Sequence, residues 1–89
     1  MSQSGMRPDD DMVLLNVGQG LTDEKDYDNA ISLYKVYTLE FPNIIIAWNE
    51  LGEAFLFKGN KAEAKKCFEK ALKLMPDNNR AKIGLQKSN

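Results

Sequence analysis

Residues 47–55 read AWNELGEAF. Ala47, Trp48, Leu51, Ala54 and Phe55 recur at steps of three and four, which is one face of an α-helix. Gly52 interrupts this otherwise strong helix former, at a cost of about 1 kcal/mol relative to alanine. A side chain at position 52 must therefore cost more than that, and close packing against another helix supplies the reason. The next residues fit such a partner. Gly59-Asn60 breaks the pattern, with Asn60 a candidate N-cap, and Ala64, Phe68, Ala71, Leu72 and Met75 form a second apolar stripe. Pro76 closes it, because the residue before a proline avoids helical geometry.

The same arrangement stands 34 residues earlier. Gly18 aligns with Gly52, Asp26 with Asn60, Ala30 with Ala64, Tyr34 with Phe68, and Pro42-Asn43 with Pro76-Asp77. Leu14, Val17 and Leu21 align with Trp48, Leu51 and Phe55, without a gap. The first copy predicts helices through 12–21 and 27–39, with Asp26 as cap and Pro42 as stop. A third copy starts after Pro76, where Ala81 and Leu85 match Ala47 and Leu51, and supplies a fifth helix that caps the stack. The glycines are expected at the closest approach of paired helices, with Ala30 and Ala64 opposite them. Gly20, whose counterpart is Ala54, has no packing reason in the sequence.

The set Trp48, Leu51-Gly52, Phe55, Ala64, Phe68, Ala71 and Pro76 resembles the tetratricopeptide repeat pattern. Phe55 stands where that family usually has tyrosine. In the first copy Leu14, Val17 and Leu21 replace its Trp, Leu and Tyr, and Tyr37 replaces a small alanine. The resemblance implies an all-α fold: antiparallel helix-turn-helix repeats in a short right-handed solenoid. The expected divisions are a disordered or vector-derived segment over 1–10, repeats over 11–44 and 45–78, and a capping helix and tail over 79–89.

What the resemblance implies for function is protein or peptide binding in a concave groove, without catalysis or cofactor. The groove candidates are Met12, Leu15, Asn16, Gln19 and Asp23 from the first helix. The third helix offers Ile46, Asn49, Glu50, Glu53 and Phe57, and the last offers Arg80, Ile83 and Lys87. Some family members grip acidic chaperone tails with a lysine, asparagine and arginine clamp. This chain departs from it: Leu15, Gln19, Glu50 and Gly84 stand at four clamp positions and only Arg80 matches. Glu50 and Glu53 lie one turn apart, and read either as an acidic pocket or as ordinary solvated glutamates.

Composition narrows the classes. A net charge of −1 gives no general attraction to nucleic acid or to a membrane surface. The basic run Lys58, Lys61, Lys65, Lys66, Lys70 and Lys73 lacks interleaved aromatics for base stacking and reads as a solvated outer face, with Cys67 in it as a partly reactive thiol. The chain has no histidine, so the commonest general base and transition-metal ligand is missing. The longest apolar run, residues 44–48, is too short to span a bilayer. The expected compartment of the chain taken alone is the cytoplasm. Residues 1–44 carry eight acidic and three basic groups, residues 45–89 five and nine, so the halves differ in sign. That asymmetry and the Ile44, Ile45, Ile46 run leave a homodimer as one alternative. A C-terminal accessory module of a larger bacterial protein, such as a serine hydrolase, is another, since LYKVYTLEFPN with AWNELGEAF is similar to repeat pairs found there.

Overall fold

A computed structural model describes residues 10–89. It contains five helices among the described residues: α1 Asp10–Asp23, α2 Tyr27–Glu40, α3 Ile45–Lys58, α4 Lys61–Leu74 and α5 Asn79–Lys87. Helix α1 begins at Asp10, the last position of the segment expected to be disordered. The rest of that segment lies outside the described residues.

Short connections force successive helices antiparallel. Each helix packs on the next, and α3 also touches α5. The two hairpin turns use one device. In the second, Gly59 adopts φ +86°, and Asn60 N–H bonds Phe55 O at 2.8 Å while Gly59 N–H bonds Leu56 O at 2.9 Å. This left-handed cap satisfies the last carbonyls of α3. In the first, Lys25 takes φ 62°, with Asp26 N–H on Leu21 O at 2.8 Å and Lys25 N–H on Thr22 O at 2.9 Å. A lysine thus occupies the conformation that glycine holds in the second copy. Asp26 caps α2 as expected, its carboxylate accepting from Asn29 N–H. Asn60 stands at the N-cap of α4, but its side chain makes no capping bond.

The core runs through both hairpins. Ala30, Tyr34, Ala47, Ala64, Phe68, Ala71 and Ala81 are fully buried, and Leu14, Leu51 and Phe55 nearly so. Tyr37, expected to crowd an alanine position, is accommodated at 1% exposure, edge-on to Phe41 with ring centroids 6.0 Å apart. Trp48 is half-buried, and its indole N–H donates to Pro42 O at 2.8 Å, tying α3 to the preceding turn. Pro42 and Pro76 lie just past α2 and α4, in exposed turns.

Three expectations are corrected by the packing. The nearest neighbours of Gly18 and Gly52 are aromatic rings, closer than the expected Ala30 and Ala64. A Cβ on Gly18 would come within 2.3 Å of the Tyr34 ring, and one on Gly52 within 2.8 Å of the Phe68 ring. The period puts a ring at each contact, and Ala30 and Ala64 are fully buried in the same core. Val17 aligns with buried Leu51 but is 50% exposed, because among the described residues α1 has no helix on the side that α2 covers on α3. Cys67 is not on the solvated face. It is 5% exposed, and burial pushes its thiol up to about 12, so it is a packing residue rather than a nucleophile.

Candidate functional site

Helices α1, α3 and α5 are the first members of their repeats, and a polar cluster joins them. Arg80 on α5 grips Glu53 on α3 with two bonds, Nε to Oε2 at 2.6 Å and Nη2 to Oε1 at 2.8 Å. The same Nη2 donates to Glu50 Oε2 at 2.8 Å. Glu50 also accepts from Gln19 Nε2 of α1 at 3.3 Å and from the Tyr34 hydroxyl of α2 at 3.4 Å. One carboxylate therefore ties four helices together.

The electrostatics follow from that geometry. Glu50 is 8% exposed and Glu53 half-buried. Glu50 is thus not the solvated glutamate of one sequence reading. The alternative, a free acidic pocket, fails too, because Arg80 already holds both carboxylates. The hydrogen bonds to Glu53, and then those to Glu50, raise the guanidinium's affinity for its proton beyond its usual high value. Burial, with the Glu50 charge next, holds the Tyr34 hydroxyl protonated above its ordinary range. It remains a donor to Glu50 through the physiological range.

Apolar hollows flank this cluster at the two ends of α3. One, of about 510 Å³, is lined by Leu56, Phe57, Ile83 and Gly84, with Glu53, Lys61, Arg80 and Lys87 as its charged members. Phe57 is 56% exposed, and its ring stacks on Tyr27 with centroids 5.0 Å apart, which holds it in place. The other hollow is lined by Ile44, Ile45, Ile46, Met75 and the Asn49–Asn78 pair.

The structure thus brings together Gln19, Glu50, Glu53, Phe57, Arg80, Ile83 and Lys87 around α3 and α5, with Ile46 at the far hollow. Asn16 and Asp23 are exposed on α1 and make no bond to this cluster; Met12 is also exposed, and Leu15 is buried. Asn49 was expected to meet a ligand. It is instead 4% exposed, with its amide exchanging hydrogen bonds with Asn78 at 3.2 and 3.5 Å. Asn78 in turn caps α5 through Ala81 N–H at 3.1 Å, so the pair sets the capping helix on α3. Sequence reasoning missed Tyr34 and Asn78 as polar partners. The N-cap position just before α5 was the available signal for Asn78. Gly84, a departure from the chaperone clamp, has a packing cause: a Cβ there would come within 2.4 Å of the Phe68 ring.

Among the described residues no three metal-ligating side chains converge, and no helix is long and apolar enough to cross a membrane.

A family profile described as tetratricopeptide repeat matches residues 45–78. Two proteins named tetratricopeptide repeat protein 5, from Bos taurus and Homo sapiens, are each 40% identical over 62 residues. That match covers 67% of this chain and 14% of each relative's length. The matched repeat, its copy in the preceding hairpin and the glycine-to-ring packing common to both agree, and the chain belongs to the tetratricopeptide repeat family.

Proposed function

We propose that the chain is a non-catalytic protein-interaction module that holds an extended peptide across α1, α3 and α5. The observation that carries this reading is a rigid polar centre with an apolar hollow at each end. The centre holds two carboxylates against one guanidinium, so Arg80 is already engaged rather than free to grip a carboxylate tail. Recognition then rests on the hollows. Ile46 and Phe57, 45% and 56% exposed, are separated by about 16 Å of helix, the reach of about five residues of extended chain. The ligand in this reading carries apolar anchors about five residues apart, with a neutral polar segment that crosses Gln19 and Glu53.

The test is a titration with capped peptides bearing two leucines five residues apart, followed by amide chemical shifts. Perturbations are expected on both ends of α3 and on Ile83. Moving the leucines to a two-residue spacing, or changing Ile83→Asp, should abolish them. Equal binding of both spacings would overturn the reading.

A second reading is that this segment serves as an accessory module within a longer protein, and the 14% coverage of the matched relatives favours it. A serine hydrolase is one candidate carrier, by the sequence resemblance noted above. In that case the same hollows would receive a segment of the carrier itself, and joining that segment in trans should perturb the same resonances.

A further inference from the structure

The two hairpins are copies, so positions one period apart should be equally buried wherever their neighbours are equivalent. Three positions break that rule together. On α3, Ala47, Leu51 and Ala54 are 0%, 4% and 1% exposed. Their counterparts on α1 are Val13 at 59%, Val17 at 50%, and Gly20, which is exposed and would meet nothing within 4 Å if given a Cβ. The spacing of four and three puts each set on one helical stripe. Helix α2 packs on α1 as α4 packs on α3, but α3 has α2 on its other side as well, and α1 has no such neighbour among the described residues. The stripe on α1 is therefore the face that a helix equivalent to α2 would cover.

The internal copy also shows what such a helix must carry. Where α2 begins it meets the end of α3: Tyr27 stacks on Phe57, and Asp28 pairs with Lys58 at 2.7 Å. The counterparts of Phe57 and Lys58 on the first hairpin are Asp23 and Glu24. Glu24 is still in helical register, its N–H bonded to Gly20 O at 3.1 Å. The sign at this contact is thus reversed, and α2's acid is replaced by a need for a cation. Helix α1 contains three aspartates and no lysine or arginine, and an acidic last turn opposes its own dipole. The first turn of an incoming helix, itself partly positive, complements that end.

From this we infer that the Val13, Val17 and Gly20 face of α1 is the seat of a basic amphipathic helix from a partner protein. It lies antiparallel to α1, as α2 lies on α3, with a lysine or arginine in its first turn against Asp23 and Glu24. A second copy fits poorly. Two α1 faces back to back would set acid against acid, and the basic helix α4 already spends its apolar stripe on α3 and α5. The seat lies outside the α3 and α5 hollows, so it stands or falls separately from the peptide groove.

The probe is a stapled helical peptide with the α2 sequence, used unchanged and with the Asp28→Lys substitution, titrated into the full chain. At low salt the lysine peptide is expected to bind about fivefold more tightly than the unchanged one, a gap that narrows as salt rises. Amide shifts should centre on Val13, Val17 and Gly20. Glu24→Lys in the protein should reverse the preference, and Val17→Asp should weaken both peptides by about tenfold or more. Val17 is half exposed, so the variant should keep its helical circular dichroism. Equal affinity of the two peptides, no binding by either, or shifts confined to the α3 and α5 hollows would each overturn the inference. A dimer by light scattering that Val17→Asp dissolves would also overturn it, since a second copy would then hold the seat.

Discussion

Two glycines of α1, two residues apart, should respond oppositely to the same substitution. An alanine at 20 meets nothing within 4 Å, so Gly20→Ala should gain the helix-propensity difference of about 1 kcal/mol. An alanine at 18 gains the same propensity but would place its Cβ 2.3 Å from Tyr34 Cε1, 2.4 Å from Cζ and 2.7 Å from the hydroxyl oxygen. Ordinary contact between such atoms is about 3.5–4.0 Å. The ring cannot slide away cheaply, because Tyr34 is fully buried and its hydroxyl is bonded to Glu50. Overpacking of this kind costs about 1–3 kcal/mol. Losing the Tyr34–Glu50 bond adds about 1–3 kcal/mol, since a buried polar group is then left unpaired. After subtracting the propensity gain, Gly18→Ala should be destabilised by roughly 1–5 kcal/mol. In a domain of this size each kcal/mol moves the melting temperature by about 4–8 °C. Thermal melts of wild type and both variants, followed at 222 nm with urea unfolding as a check, measure the contrast directly. If Gly18→Ala melts at or above wild type alongside Gly20→Ala, the assignment of Gly18 to the Tyr34 contact is wrong.

Three further outcomes follow from the geometry. Lys25→Gly should stabilise the chain by about 1 kcal/mol and Gly59→Ala destabilise it by a similar amount, because both positions have positive φ; urea midpoints decide this. Arg80→Met should cost about 1–3 kcal/mol, reduced from a fully buried pair by Arg80's exposure, and adding Glu50→Gln should recover part of it. Cys67 should resist disulfide-exchange reagents at pH 8 in the native state and react on unfolding. Its folded pKa is raised from 9.0 to about 12, so its stabilising contribution is complete below pH 9 and is lost as pH rises toward 12. Over that window Cys67→Ala should flatten the fall in stability by up to about 1.4 kcal/mol per pH unit; parallel curves for the two proteins would count against a buried, neutral thiol.

The helices, their order and their turns were readable from the chain because each rests on local chemistry. Stripes at steps of three and four mark the faces, Gly59-Asn60 and Asp26 mark the turns, and Pro42 and Pro76 mark the stops. The 34-residue shift added the pairing of helices, since a repeat can bury its faces only against its neighbours. The candidate site was less readable. Gln19, Glu50, Glu53 and Arg80 could be placed on first helices of their repeats by register. Whether their charges were free or already matched depends on side chains up to 31 residues apart, such as Gln19 and Glu50. Asn49 shows the same limit: its register pointed to a ligand, while Asn78, in the turn before α5, claimed its amide.

The period was enough to establish an all-α repeat chain in which Gly18 and Gly52 mark close contacts, because those properties depend on spacing along one helix. Tertiary packing alone decided that Gly18 and Gly52 face the Tyr34 and Phe68 rings, that Cys67 is buried, and that Arg80 engages both Glu50 and Glu53. It also decided that Val17 is exposed where its twin Leu51 is covered. These outcomes depend on which neighbour is present on each face, and identical sequence positions with different neighbours have different environments.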